Sequence, residues 1–579
     1  MTNIKESANF IWSIADLLRG DFKQSDYGKI ILPFTVLRRL DCVLENTKAD
    51  VLKKLEQARN MNIQNLDPIL NKEAGYNFHN ASKFDFDKLI ADPSNIASNL
   101  RNYINGFSQE AREIIEEFNF DVQITLLDDN NLLFMVLKRF QEVDLHPEKV
   151  SSMEMGYMFE ELIRKFAEIS NDTAGEHFTP REVIKLMVNL LFMNDRDILT
   201  KKGVVKTVFD CCAGTGGMLS VAEEYLNELN PDASLQVFGQ ELNPESYAIC
   251  KSDMLIKGQK PSNIEKGNSL KNKDTPKQKG DQFRNQKFDY LITNPPFGVK
   301  WGKVAKEVQE EHDDLGHGGR FGPGLPSKSD GSFLFLMNLI SKMKPEGSRL
   351  AIVFNGSPLF SGSPSSNKNE SSIRQWIIEN DLLEAVIALP DQLFYNTGIS
   401  TYIWLLSNHK APERKGKVQL INAVDFYEKM PKSLGNKRKE ISDRQIEDLT
   451  KIYGNHKSGE FSKVFDNEDF GYSKVTVERP LMKNGKAVKD SKGKLKADSS
   501  LRDTENIPLK ENIQEYMKRE VLPHVPDAWI DESKTKTGYE INFTKYFYKF
   551  KPLRSLEEIR ADILALEDET EHMIGKVIR

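Results

Sequence analysis

The chain has 579 residues, 39% hydrophobic and 29% charged, with a formal net charge of −6. One ordinary core does not accommodate that length, so two or three domains are expected, and the negative balance excludes a uniformly basic surface that grips nucleic acid unaided. No apolar run approaches the ~20 residues of a bilayer span, the opening MTNIKESANF lacks a signal-peptide pattern, and Cys42, Cys211, Cys212 and Cys250 fall in no zinc or disulfide spacing, so a cytoplasmic protein without a metal site or membrane contact is expected.

Residues 1–150 carry apolar side chains at helical spacing, as in Phe10, Ile11, Ile14, Leu17 and Leu18, which predicts a helical N-terminal domain. From 151 to 430 short β-rich runs (VVKTVFD, LQVFGQE, KFDYLITN, RLAIVFN, LEAVIALP, STYIWLL) alternate with helical stretches, the pattern of a doubly wound α/β sheet. Residues 431–579 read as mixed basic loops and helical segments. Within them Lys483-Asn484-Gly485-Lys486, followed by KDSKGKLKADSS, predicts a mobile basic loop or hairpin. At the end, Ser555 and Glu558 have capping-box spacing. Beyond them Leu556, Ile559, Ile563, Leu566, Thr570, Met573 and Val577 recur in steps of three and four, a coiled-coil seam interrupted by one polar position. Such a seam either docks a partner or packs back on its own chain.

In the middle region Ala174-Gly175-Glu176-His177-Phe178-Thr179-Pro180-Arg181-Glu182 reads as a polar loop opening a helix, with Thr179 as N-cap, Pro180 at the first position and Glu182 as capping-box partner. Further on, Val208-Phe209-Asp210-Cys211-Cys212-Ala213-Gly214-Thr215-Gly216-Gly217-Met218 reads as a strand, a Gly-rich turn and a helix start. Glycines there let backbone approach a ligand, and the helix N-terminus offers free N–H groups. A second strand ends in Glu241, where an acid can hold a ribose diol. Turn plus acid indicates a nucleoside-bearing cofactor, either a nicotinamide dinucleotide or S-adenosylmethionine.

The loop ahead of the Gly-rich turn resembles the motif that contacts the methionine end of the cofactor in amino-group DNA methyltransferases. The resemblance implies S-adenosyl-L-methionine, with contacts from Glu176, His177, Phe178, Thr179, Pro180 and Arg181, from Asp210, Ala213, Gly214, Thr215, Gly216 and Gly217 in the turn, and from Glu241. Cys211 stands where related proteins usually carry Pro after the turn's Asp.

After the strand ending at Thr293 comes Asn294-Pro295-Pro296-Phe297. Two adjacent prolines fix φ and remove two donors, leaving rigid outward carbonyls. The amino nitrogen of adenine is a poor nucleophile because its lone pair is delocalised into the ring. It attacks better when the Asn294 side-chain oxygen and the Pro295 carbonyl hold its hydrogens, and Phe297 offers a ring for stacking. A base paired in a duplex must be flipped out first. In-line methyl transfer needs alignment and no covalent nucleophile, so Cys211 and Cys212 read as packing residues. The Gly-rich stretch from Gly298 to Gly331 is expected either as a disordered insertion or as a loop ordering over the base, with His312 and His317 as surface residues.

Together these motifs resemble the modification subunit of type I restriction-modification systems. The likeness extends to Asp26-Tyr27-Gly28-Lys29 and the following Leu32 to Leu40, to Val477-Glu478-Arg479-Pro480-Leu481, and to Leu501-Arg502-Asp503-Thr504-Glu505-Asn506. It implies a Rossmann-like S-adenosylmethionine methyltransferase domain acting on adenine N6 in double-stranded DNA. It also implies two partners, a specificity subunit that reads the target and a restriction subunit that supplies translocation. The chain has no G-x-x-x-x-G-K-[ST] phosphate loop, in keeping with a motor on another chain. The competing readings are a methyltransferase for a protein glutamine or an RNA base, and a catalytically silent cofactor-binding scaffold.

Overall fold

Among the described residues, nine α-helices run from Thr2–Leu18 to Leu133–Gln141. The spacing of Ile11, Ile14 and Leu18 puts all three on one face, and all three are fully buried. Their core continues into the helix Ser152–Ser170 through Met158, Phe159 and Leu162, and into the helix Pro244–Ile256 through Ala248, Ile249 and Leu255. This apolar cluster crosses residue 150 and joins the helical layer to the sheet that follows. The computed structural model describes residues 2–61, 63–170, 179–365, 369–395, 397–483, 485–491, 493–548 and 555–577.

The β-rich runs become β1 (Val205–Asp210), β2 (Ser234–Glu241), β3 (Ile264–Lys266), β4 (Tyr290–Thr293), β5 (Arg349–Asn355), β6 (Leu383–Ala388), β7 (Thr401–Ser407) and β8 (Lys417–Asn422). A hairpin of β9 (Glu428–Leu434) and β10 (Lys437–Glu440) precedes β11 (Ser462–Asp466). The main sheet has the order β11-β8-β6-β7-β5-β4-β1-β2-β3. β5, β4, β1, β2 and β3 are mutually parallel, whereas β7 runs antiparallel to both neighbours. β4, β5 and β6 are buried on both faces, which is why they read as largely apolar runs, with the buried Arg349 and Glu384 as charged exceptions. Because β11 pairs with β8, the α/β layer continues past residue 430, the boundary expected from sequence.

Beyond β11 the chain departs from the expected loops and helices. β12 (Gly471–Glu478) is the centre of a three-stranded antiparallel sheet. Next come a short hairpin of β13 (Met482–Lys483) and β14 (Lys486–Ala487), then β15 (Asp503–Pro508) and β16 (Trp529–Tyr539). The two segments singled out in the sequence here are paired, Val477 opposite Asp503 and Thr476 opposite Thr504.

The chain divides into two compact units, Met1–Ile541 and Asn542–Arg579. The second unit holds the helices Phe543–Phe547 and Leu556–Val577. The expected capping box is formed: Ser555 N–H donates to Glu558 Oε2 at 3.0 Å, and Glu558 N–H donates to Ser555 Oγ at 3.2 Å. Leu556, Ile559, Ile563 and Leu566 are exposed. Among the described residues no helix is long and apolar enough to cross a membrane, and no group of His, Cys, Asp and Glu could hold a metal ion.

Candidate active site

The strand order reverses between β1 and β4, where ligands of open parallel sheets collect beyond the carboxyl ends. A cavity of about 470 Å³ lies there, with walls that include Asp210, Thr215, Glu241, Ser269, Asn294 and Trp301.

Its floor is the turn after β1. Asp210 Oδ1 accepts from Cys212 N–H at 2.9 Å and from Thr293 Oγ at 2.7 Å, tying the tip of β1 to the tip of β4. Burial pushes the Asp210 carboxyl up to about 7, against the pull of these two hydrogen bonds and with a further push from Glu241. Gly214 and Gly216 have φ of 54° and 87°, and a Cβ on Gly216 would lie 2.8 Å from Cys250 Sγ. Conformation and space both require glycine at 216. The helix Gly217–Leu229 starts directly after it, and Ala213, Gly214, Thr215 and Gly217 line the cavity. The thiol of Cys212 is held well above its usual range by its contact with Cys211 and by burial, so no thiolate forms there.

Glu241, at the end of β2, accepts from Gly214 N–H through Oε2 at 2.8 Å. Through Oε1 it accepts from Leu242 and Asn243 N–H at 2.8 and 2.7 Å. A carboxylate has about four acceptor positions, so one on Oε2 is left for a ligand in the cavity it lines.

After β4 the decisive contact is between Asn294 and Thr179. Asn294 Nδ2 donates to Thr179 Oγ1 at 2.9 Å, while Asn294 Oδ1 is buried and has no hydrogen-bond partner among the described residues. This corrects the expectation that Thr179 caps the following helix. The helix is Arg181–Phe192, Pro180 holds the N-cap position, and no side chain caps it. Glu182 pairs with Lys437 across the structure instead of closing a capping box. The Thr179 hydroxyl serves the amide of Asn294 rather than the backbone. Pro296 lines the cavity beside Asn294, and the ring of Phe297 packs edge-on against Phe394 with centroids 5.9 Å apart. Pro295 lies between them in the chain.

Arg181, expected at the cofactor, is an internal tie. Its guanidinium lies 2.8 Å from Glu160 Oε1, donates to Gly217 O at 3.2 Å and stacks 5.0 Å from the centre of the Tyr157 ring. Glu160 itself lines the cavity, with Oε2 buried and unpartnered among the described residues. Sequence reasoning missed it; the available signal was an acid on a helix face between the buried Met158, Phe159 and Leu162. Glu176, His177 and Phe178 lie outside the described residues.

The remaining wall comes from two segments that sequence reasoning did not place. Ser269 Oγ donates to Cys211 O at 2.6 Å, holding the loop after β3 against the turn. The Gly-rich stretch is an ordered insertion with a helix at Ala305–Leu315, and its Lys300, Trp301, Lys303 and Val304 line the cavity. Trp301 is buried and donates through Nε1 to Ser327 O at 2.8 Å. Arg320 pins the insertion, bonding Glu311 Oε2 at 2.7 Å and Ser269 O at 2.8 Å. His312 Nδ1 bonds Phe321 O at 2.7 Å, so it is an internal tie of the insertion rather than a simple surface residue.

Residues 151–489 match the family described as N-6 DNA Methylase, and residues 7–140 match the HsdM N-terminal domain. The methylase subunit of the type I restriction enzyme MjaIX from Methanocaldococcus jannaschii is 24% identical over 493 residues, 83% of this chain and 82% of that protein. The HindI methylase subunit from Haemophilus influenzae is 29% identical over 271 residues, 46% of this chain and 54% of that protein. The methyltransferase subunit of a type I restriction-modification system from Streptococcus thermophilus shares the fold, with a TM-score of 0.60 at 24% identity, covering 81% of this chain and 97% of the other.

The buried Asp210 carboxyl has a consequence for stability. Its folded pKa of about 7 lies above the ordinary 3.8, so between those values the folded chain binds more protons than the unfolded chain, and stability falls as pH rises. Asp210→Asn removes the penalty. The ligand-free variant is expected to melt a few degrees above wild type at pH 8, with the gap closing as pH falls toward 4. Thermal denaturation across that range checks this, and a gap independent of pH would contradict it.

Proposed function

The chain belongs to the N-6 DNA methylase family, and from that membership we propose that its cavity takes S-adenosylmethionine and a flipped adenine, methylating N6 as the methylase subunit of a type I restriction-modification complex. The observation that supports this most is the free, buried Oδ1 of Asn294. It is an acceptor prepared for a donor that no described residue supplies. An exocyclic amino group is such a donor, and burying an acceptor without one costs about 1–3 kcal/mol.

The cavity fits the cofactor in size and chemistry. About 470 Å³ falls in the usual range for ligand sites. The spare acceptor position of Glu241 suits a ribose hydroxyl, and Thr215 and Gly217 at the helix N-terminus suit the carboxylate of an amino acid. When bound, S-adenosylmethionine supplies an electrophilic methyl group on a sulfonium. Asn294 Oδ1 and the Pro295 carbonyl would hold the two amino hydrogens of adenine and so free the nitrogen lone pair from the ring for attack. The two acceptors gain strength as positive charge develops on nitrogen, which makes their contribution larger in the transition state than in the ground state. Thr179 acts as a positioning residue by fixing which end of the Asn294 amide faces the cavity. With the Cys212 thiol held neutral, an attack through sulfur, as cytosine C5 chemistry requires, has no support.

The relatives named above are methylase subunits of multi-subunit enzymes. For this chain the corresponding partners are a specificity subunit that supplies the DNA target and a restriction subunit that supplies translocation. The exposed Leu556, Ile559, Ile563 and Leu566 along Leu556–Val577 form the seam offered to the specificity subunit.

Asn294→Ala is expected to lower methyl transfer by about a hundredfold or more, with S-adenosylmethionine affinity within a few-fold of wild type, because the lost acceptor acts mainly in the transition state. Thr179→Val, which frees the amide to turn, should lower kcat less and leave cofactor affinity near normal. Single-turnover methylation and calorimetry check both, and near-normal turnover in Asn294→Ala would overturn the assignment. Deleting residues 555–579 should leave a folded, cofactor-binding chain that no longer co-purifies with its specificity partner. Aggregation or loss of cofactor binding would assign that helix to the chain's own core.

A further inference from the structure

A cluster of exposed lysines lies between β12 and β15, in a segment that does not line the cavity. These strands are paired neighbours, so residues 479–502 leave the end of the three-stranded sheet and return to it. The root of the excursion is pinned by Glu478, a buried carboxylate with Arg502 and Lys534 each 2.8 Å away, and by the ion pair of Arg479 with Asp527 at 3.1 Å. Above the root the chain doubles back twice. Met482 pairs with Ala487 and Lys483 with Lys486 around Gly485, whose φ is 73°. Lys489 then bridges Leu495, and Pro480 bridges Ala497, while Lys496 N–H donates to Val488 O at 2.9 Å.

This fold places like charges across from one another. Lys483 and Lys486 are direct cross-strand partners, an arrangement that is destabilising when nothing neutralises it. Lys483, Lys486, Lys489, Lys494 and Lys496 are all exposed, and none has an ion-pair partner among the described residues. The two acids of the segment are engaged in its turns: Asp490 accepts from Lys494 N–H at 2.9 Å, and Asp498 accepts from Ser500 N–H at 2.9 Å. The chain as a whole has a net charge of −6, so this cluster stands against the prevailing sign. A surface held in that form suits a dense, regular row of negative charge, and duplex DNA presents one charge per ~1.7 Å of its axis.

We propose that the basic hairpin between β12 and β15 is a sequence-independent contact for the DNA phosphate backbone, with the five lysines as its phosphate ligands. The proposal rests on the reading of DNA as the substrate and adds a place where this chain holds the duplex outside the reacting base. Each neutralised phosphate releases counterions, so the contact is read in the salt dependence of binding.

The test is equilibrium binding of the full chain, with and without its specificity partner, to a short duplex lacking the target, over a range of KCl concentrations. The variant combines Lys483→Ala, Lys486→Ala, Lys489→Ala, Lys494→Ala and Lys496→Ala; a second variant carries Arg at the same five positions. The Ala variant is expected to keep its melting temperature, to bind at low salt about tenfold or more weakly, and to show a slope of log affinity against log salt shallower by about 2 to 4, from ~0.9 per lost phosphate contact. The Arg variant should keep the wild-type slope. An unchanged slope in the Ala variant overturns the proposal, as does a wild-type chain that fails to bind the duplex at low salt. Loss of the specificity partner with the slope unchanged also overturns it, and makes the hairpin a protein-docking surface instead. Methyl transfer by the wild-type complex, measured in parallel, tests the underlying reading separately: a complex that binds DNA through the hairpin but methylates nothing contradicts that reading alone.

Discussion

The amide of Asn294 has one oxygen and one nitrogen, and which of them faces the cavity decides whether the site can accept a hydrogen bond or only donate one. Thr179 fixes the choice by taking the Nδ2 donor at 2.9 Å across 115 residues of sequence. Oδ1 is thereby left buried and unpartnered among the described residues. Three features of the fold hold these two residues in register. The parallel pairing of β1 with β4 sets the height of Asn294. The Asp210–Thr293 hydrogen bond stops the two strand tips from parting. The Glu160–Arg181–Gly217 ties hold the start of the Thr179 helix against the turn.

Those ties are costly ones. Arg181 with Glu160 is a buried ion pair that well-packed hydrophobic residues of similar volume could replace without loss of stability, and Asp210 is a buried carboxyl whose charged form is penalised by burial. Their presence beside the cavity follows from the requirement for a rigid polar site, in which the acceptors need no reorganisation when charge develops. The helical N-terminal layer contributes to the same end, because its core runs through the helix carrying Glu160 and into the helix that follows β2.

Much of the architecture was legible in the sequence because the relevant signals are local. β4, β5 and β6 are buried on both faces, so their apolar runs announce central parallel strands. Glycine in the turn after β1 is required by backbone conformation, which a single residue type can report, and the Asn294 to Phe297 motif is contiguous in the sequence. What escaped depends on contacts between distant segments. Thr179 followed by Pro180 has the form of a helix start, and only the position of Asn294 reveals that its hydroxyl is used elsewhere. Glu160 is an ordinary helical acid until the turn after β1 is brought beside it. β15 is mostly exposed and β16 mostly exposed or half-buried, and both are largely polar, so neither alternation nor an apolar run marks the three-stranded sheet in the sequence. The Gly-rich insertion carries its apolar anchors singly, in the buried Trp301, Val304, Val308 and Phe321, and adds polar ones, above all Arg320 with Glu311 and the carbonyl of Ser269.

The central claim is that the acceptor presented by Asn294 receives the amino group of adenine. It is tested most directly by modified-base sequencing of plasmid DNA from cells that co-express the chain with its specificity partner, beside cells that carry the partner alone. The account predicts N6-methyladenine at a fixed sequence, present only with the chain. N4-methylcytosine at that sequence, or no modification from a complex that assembles and binds the cofactor, would contradict it.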